Sequence, residues 1–221
     1  LDYLVRMECY DISNISGTDK VASQVVFRHG APSKDDYRRF KIKTVEGSDD
    51  FASMAEVIRR RCERYLSGDD KFNEKPDLIV IDGGKGQLSS VKQIFDELNV
   101  KDIDLVSLAK QEEEVFTLHS DRSVLIDKSD YALRLLQRIR DEAHRFAITF
   151  NRSLRGKRSL VSVLDGIDGV GKVKKKALLE KFKDLSGIMN AKKEDLMTVD
   201  GIGEALADEI IAELKKENIT L

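Results

Sequence analysis

A mixed α/β sheet with flanking helices, followed by a small all-α domain, is the fold class the sequence predicts. Three observations predict it. Near the N-terminus, three segments of alternating apolar residues are joined by short turns. Short unbroken apolar runs and stretches of helical period then take turns. The C-terminal part carries no strand pattern but does carry an internal repeat.

Val5, Met7 and Cys9 alternate along a first strand that runs to Asp11, and Asn14, Gly17 and Asp19 are turn residues. Residues 21–28 form a second strand, turned by His29-Gly30-Ala31-Pro32. Residues 37–44 form a third, alternating at Phe40, Ile42 and Thr44. The short connections make an antiparallel meander. Asp49 and Asp50 stand at the start of a helix, where the dipole favours them. Its apolar stripe is Phe51, Met54, Ala55, Ile58, Cys62 and Tyr65. Leu78-Ile79-Val80-Ile81 reads as a buried parallel strand that ends at Asp82-Gly83-Gly84. A helix from Gln87 to Leu98, a strand from Asp104 to Ala109, and a hairpin of residues 115–118 and 123–126 follow. A long helix over 131–150 closes the domain. This order, β-β-β-α-β-α-β and a closing helix, is that of the ribonuclease H fold. There the first and fourth strands lie side by side, so Asp11 and Asp82 should meet.

Residues 151–159 are basic, polar and without period, and read as a linker. Beyond it, Ile167-Asp168-Gly169-Val170-Gly171 and Val199-Asp200-Gly201-Ile202-Gly203 each precede a helical pattern. The expected organisation is a domain over 1–150, a linker over 151–159 and a tandem helix-hairpin-helix domain over 160–221. The chain begins with Leu1, which reads as a piece of something longer.

Lys and Arg total 38 against 40 Asp and Glu, a formal net charge of −2. That total argues against a nucleic-acid partner, but the distribution does not. Basic clusters stand at Arg59-Arg60-Arg61, at residues 152–158 and at 172–176, and runs such as Glu112-Glu113-Glu114 cancel them. Cys9 and Cys62 have no metal-ligand spacing and read as small buried residues of a cytoplasmic protein. No signal peptide or membrane span is visible.

Two carboxylates brought together repel unless a cation lies between them. Oxygen ligands suit Mg²⁺ or Mn²⁺, which polarises a phosphate and activates water. The plainer alternative is that Asp11 starts a turn and Asp82 caps a helix; the strand order favours the metal site. His144 falls to one side of the buried stripe of the closing helix, Leu135, Leu136, Ile139, Ala143 and Phe146. There a histidine can assist proton transfer or hold a water, or be an ordinary boundary residue. Asp141 and Glu142 read as solvent-facing partners of nearby arginines, and Glu56, opposite its helix's stripe, as exposed. Gly83-Gly84-Lys85-Gly86 is not a P-loop, since Gly86 stands where Ser or Thr is required. Lys85 and Lys110 either neutralise substrate phosphates or are solvated. Asp50 is either a helix-start charge or a supporting acid. The Gly-apolar-Gly turns expose helix N–H groups to which a phosphate can bind without any base being read. This makes Gly169, Val170, Gly171, Lys172, Lys174, Gly201, Ile202 and Gly203 the candidate DNA-binding residues.

Residues 6–13 (RMECYDIS), 37–40 (YRRF), 81–88 (IDGGKGQL), 107–110 (SLAK) and 140–145 (RDEAHR), in this order, resemble the UvrC family, the C subunits of the bacterial excinuclease. The resemblance covers essentially the whole chain as that family's C-terminal half. It implies nucleotide excision repair, with a metal-dependent cut 5′ to the lesion and an Asp–Asp–His triad at Asp11, Asp82 and His144. Arg38 and Arg140, within these motifs, join Asp50, Lys85 and Lys110 as supporting residues. The family's other nuclease, for the 3′ cut, and the segment that engages UvrB are not in these residues. Asn151 stands where the family pattern has a histidine before Arg152, so no role passes to it. The rival readings are a catalytically inactive DNA-binding scaffold and a resolvase or transposase relative. The three retained triad residues argue against the first, and the motifs against the second.

Overall fold

The computed structural model describes residues 4–15, 19–45, 47, 49–109, 113–120, 122–183 and 185–218. Side chains are described for all of these but 14, 15, 19, 152–159, 185, 186 and 215–218. The chain divides into two compact units, Leu1–Ile148 and Thr149–Leu221.

The first unit is built on a seven-stranded mixed sheet. β1 (Arg6–Ile15) and β2 (Asp19–Arg28) pair antiparallel along their full length. The expected third strand is β4 (Arg38–Lys41), shorter than the predicted 37–44, and the expected turn at 29–32 holds a short extra strand, β3 (Ala31–Pro32), with a 3-10 turn at Lys34–Asp36 between the two. Both pair with β2, so one edge of β2 is covered twice. α1 (Asp50–Leu66) is capped by Asp49, whose side chain accepts from the Ala52 N–H. β5 (Leu78–Asp82) is buried at every position and lies parallel to β1. α2 (Lys85–Glu97), β6 (Asp104–Leu108) and β7 (Val115–Thr117) follow. β6 is parallel to β5 and antiparallel to β7, and a single bridge, Val115 to Val124, completes the expected hairpin. The order across the sheet is β3-β2-β1-β5-β6-β7. The first strand and the first buried parallel strand are therefore neighbours, as the ribonuclease H order requires.

Alternation along the strands sorts their side chains to two faces. Tyr10, Ala22, Ile79, Ile81 and Leu105 pack with Met54, Val57, Ile58 and Cys62 of α1 and with Val91 and Phe95 of α2. Met7, Cys9, Val25, Phe27, Leu78 and Val80 pack with Leu133, Leu136, Ile139 and Ala143 of α3 (Tyr131–Asp165). Phe51 is a correction to the expected stripe of α1. It sits in the first turn and is 53% exposed, because Met54, Val57 and Ile58 already fill the contact with the sheet.

The expected irregular linker at 151–159 is also corrected: α3 runs through it. Arg, Lys and Leu are good helix formers, and Gly156 is the only strong opponent. Apolar period was the wrong criterion here, since a helix that is polar all round has none.

In the second unit, α4 (Lys172–Phe182), α5 (Leu185–Met189), α6 (Lys193–Met197) and α7 (Glu204–Asn218) follow the last turns of α3. Leu160, Val163, Leu164, Ile167, Val170, Leu178, Leu196, Val199, Ile202, Ala207 and Ile210 form one buried cluster. The sequence repeat is a structural repeat. Val170 N–H donates to Ile167 O at 3.2 Å, and Ile202 N–H to Val199 O at 3.0 Å. Gly169 and Gly201 have φ of +84° and +77°, a left-handed backbone that side chains resist.

Candidate active site

The register of β1 and β5 ends at Tyr10 opposite Ile81, so Asp11 and Asp82 are the next step on adjoining central strands. Both are 7% exposed. Their parity is that of Cys9 and Val80, which turns them toward the face covered by α3. His144 follows the buried Ala143 on that helix and brings Nδ1 to 3.4 Å from Asp11 Oδ2. One ligand atom from each of Asp11, Asp82 and His144 lies within 4.8 Å of the others. Two buried carboxylates and an imidazole are a donor set able to hold a divalent metal ion.

Two clefts share Asp82. One, of about 310 Å³, is lined by Asp11, Ile12, Asp50, Asp82, Gly83, Gly84, Gln87 and Ala109. The other, of about 260 Å³, is lined by Asp82, Glu113, Arg140, Asp141 and His144. Gly84 is the N-cap of α2, so the positive end of that helix is at the rim of the first cleft. Asp50 is thus a wall of the site as well as a helix-start charge. Its Oδ1 receives Lys20 Nζ at 3.1 Å. Lys20, only 7% exposed, was missed in the sequence, because a lysine near a turn carries no local sign that pairing will bury it. Ser23 was missed too: fully buried, it is directly opposite Asp11 in the β1–β2 register.

Other expected residues fall differently. Arg38 is tied to its own loop, donating to Asp35 O at 2.6 Å and Tyr37 O at 2.9 Å. Lys85 opens α2 and is exposed. Lys110 lies outside the described residues. Arg140 is on the wall of the second cleft, bonded to Glu113 and Asp141. Glu56 is not exposed as its helical phase suggested. Its carboxylate accepts from the N–H groups of Lys43 and Thr44 and from Arg60, because the strand-to-helix connection folds over it. Burial pushes its carboxyl up, but these bonds outweigh that and hold it below its ordinary value. Glu142 is turned inward as well, accepting from Tyr37 Oη at 2.9 Å and from Arg145. The Arg59-Arg60-Arg61 cluster is dispersed: Arg59 pairs with Glu97, Arg60 with Glu56, and Arg61 is buried on Glu8.

Beneath the acids, the Cys9 thiol is pushed well up, first by burial and then by Asp82 and Asp11. On the opposite face of β1, Glu8 accepts from Arg61 at 2.8 and 3.0 Å, from Arg6 at 2.9 Å and from Tyr10 Oη at 2.7 Å. Burial would raise its carboxyl, but Arg61 and Arg6 prevail and hold it low.

In the second unit, Gly171 and Gly203 have open space where a Cβ would be, so the helix starts behind them are accessible. Val170 and Ile202 are buried, which leaves only their backbone for a ligand. The lysines are not equivalent. Lys174 Nζ donates to Gly169 O at 2.9 Å, and its Cε would meet a Cβ on Gly201 at 2.9 Å. Lys175 is paired with Asp165, and Lys172 is exposed. Lys193 reaches Glu204 at 2.9 Å and Asp208 at 2.7 Å, neutralising the acids beside the second turn.

A family model described as the UvrC RNAse H endonuclease domain matches residues 1–148, and one for a SAM-like helix-hairpin-helix tandem matches 161–216. The chain belongs to the UvrC family. The UvrABC system protein C of Gloeobacter violaceus is 52% identical over 209 residues, 93% of this chain and 33% of that protein. The one from Dehalococcoides mccartyi is 48% identical over 204 residues, 91% of this chain and 34% of that protein. The chain thus spans about a third of the length of these UvrC relatives. A solved structure of Ciona intestinalis endonuclease V with DNA has 13% identity and a TM-score of 0.36, over 50% of this chain and 48% of that one. Among the described residues, no helix is long and apolar enough to cross a membrane.

Proposed function

We propose that this UvrC chain hydrolyses a DNA phosphodiester on the 5′ side of a lesion in nucleotide excision repair. In this reading it works in the cytoplasm, and UvrB is the partner of the whole protein. The observation that carries the reading is the convergence of Asp11, Asp82 and His144 on adjoining clefts.

Asp11 and Asp82 would hold Mg²⁺ or Mn²⁺, with His144 beside them. The bound ion supplies Lewis acidity and makes water a competent nucleophile at neutral pH. Asp11 and Asp82, fixed on rigid central strands, set where the substrate phosphate must lie. His144, more than half exposed yet next to Asp11, takes or returns a proton, or holds a water. The α2 N-terminus and Lys85 favour the negative substrate at the rim. The two Gly-apolar-Gly turns grip phosphates on either strand without reading bases.

The test is Mn²⁺- or Mg²⁺-dependent nicking of a bubble-containing duplex by the folded chain. Cutting that is lost in chelator and in Asp82→Asn is expected. DNA binding without cutting under any divalent ion would make the chain a scaffold and overturn the reading.

A further inference from the structure

We propose that Arg140 is a catalytic residue that receives the scissile phosphate, and that Glu113 occupies its guanidinium until DNA arrives. This rests on the nuclease reading above and adds a substrate contact to it.

Arg140 and His144 are one turn apart on α3, so they share a face. Both line the second cleft with Asp82. The Arg140 side chain is 14% exposed. Its NH1 meets Glu113 Oε2 at 2.7 Å, and NH2 and Nε meet Asp141 Oδ1 at 2.9 and 3.1 Å. A planar fork that binds oxygens along two edges is the donor geometry that fits two non-bridging phosphate oxygens. Two carboxylates fill that geometry in the free protein.

Glu113 is suited to leave. It is on the connection between β6 and β7, outside both strands, with a φ of +56° that few side-chain-bearing residues adopt. Its neighbour Glu114 is anchored separately: its carbonyl accepts from Ala109 N–H at 3.0 Å and its carboxylate from Ser123 Oγ at 2.6 Å. The Glu113 side chain can therefore swing while the strand ladder stays intact. Among the described residues, two other cations near the site are already committed. Lys20 is engaged by Asp50 and Ser53, and Arg38 by its own loop.

In the hydrolysis, an oxygen–phosphorus bond forms to water, one ester oxygen leaves and a proton goes to that oxygen. Arg140 exchanges no proton. Burial works against its charge, but the bonds to Glu113 and Asp141 outweigh burial and hold the guanidinium protonated. An arginine freed of Glu113 also stays charged.

The experiment compares wild type, Arg140→Gln, Glu113→Gln and the double variant. Nicking of a bubble duplex with Mn²⁺ gives kcat and KM, and anisotropy in chelator gives Kd for the same duplex. Arg140→Gln should lower kcat by about 100-fold. Glu113→Gln should lower both Kd and KM by about 3- to 10-fold, because the competing carboxylate is gone. In the Arg140→Gln background that gain should vanish. Should Arg140→Gln fail to fold, Arg140→Lys keeps the charge without the fork and should still lose kcat. Unchanged kcat in either Arg140 variant overturns the assignment, as does a weaker Kd in Glu113→Gln. If wild type itself does not cut, the nuclease reading fails, while the chelator arm still decides whether Glu113 competes with DNA for Arg140.

Discussion

His144 Nδ1 stands 3.4 Å from Asp11 Oδ2, although one residue lies on the first strand and the other on the closing helix. The imidazole is 55% exposed and the carboxylate 10%, so the histidine can be removed without opening the core. His144→Ala should unfold within about 0.5 kcal/mol of wild type. Cutting should slow by about 100-fold or more. If His144 moves a proton, the wild-type pH–rate profile has a limb that the variant lacks. Profiles of the same shape would leave His144 only a positioning role.

Asp11 and Asp82 are in step on adjoining parallel strands, so removing one charge relieves repulsion when no cation is bound. In chelator, Asp82→Asn should melt at the same temperature as wild type or higher. Mn²⁺ should raise the melting temperature of wild type more than that of the variant, by linkage. DNA affinity in chelator should change little, since other groups contact phosphate. An Asp82→Asn protein that gains as much from Mn²⁺ as wild type would refute the metal assignment.

Glu8 and Arg61 are both buried, and each is the other's main counter-charge. Arg61→Met leaves the buried Glu8 carboxylate with Arg6 and Tyr10 but without its main counter-charge, and should destabilise by about 3–5 kcal/mol, measured by urea unfolding. The pH dependence has a definite sign. Because the folded carboxyl is held below its ordinary value, its stabilisation is present above the unfolded pKa. It is lost as pH falls from about 5 through the folded pKa. Glu8→Gln should flatten the acid limb of stability against pH. An unaltered limb would place acid sensitivity elsewhere.

Lys172 and Lys174 are two residues apart but differ in role. Lys172 is exposed at the first turn of α4, while Lys174 links Gly169 O to the surface of Gly201. Lys172→Ala should lower the log–log salt slope of DNA binding by about one unit and leave the fold intact. Lys174→Ala should lower the melting temperature and weaken both turns together. Equal slope changes with no stability difference would restore the lysines to equivalence. Beside the second turn, Lys193 pairs with Glu204 and Asp208, so those acids are locally neutralised.

Cys9 and Cys62 are buried, with the Cys62 thiol pushed up to about 12 chiefly by burial and Cys9 pushed up for the same reason. The thiolate is the reactive form. Native protein at pH 8 should therefore consume almost no thiol reagent, and denatured protein should consume two equivalents. Fast labelling of native protein would show that the sheet opens.

Sequence by itself determined what depends on local period: the alternating strands, the aspartates that end two of them, and the doubled Gly-apolar-Gly turns. These are set by the two-residue repeat of a strand, the 3.6-residue repeat of a helix and the left-handed backbone that glycine permits. The tertiary structure alone decided which charges meet. Register placed Ser23 opposite Asp11, the fold of the connection to α1 drew Glu56 inward, and helix packing set Arg61 on Glu8 and Arg140 on Glu113. Such pairs join residues far apart in the chain through long side chains whose helical or strand phase does not specify a partner. The helix through 151–159 belongs with them. Its Arg, Lys and Leu residues favour a helix but show no apolar stripe, so its helical state could not be read from period, and the helix on both sides carries it across Gly156.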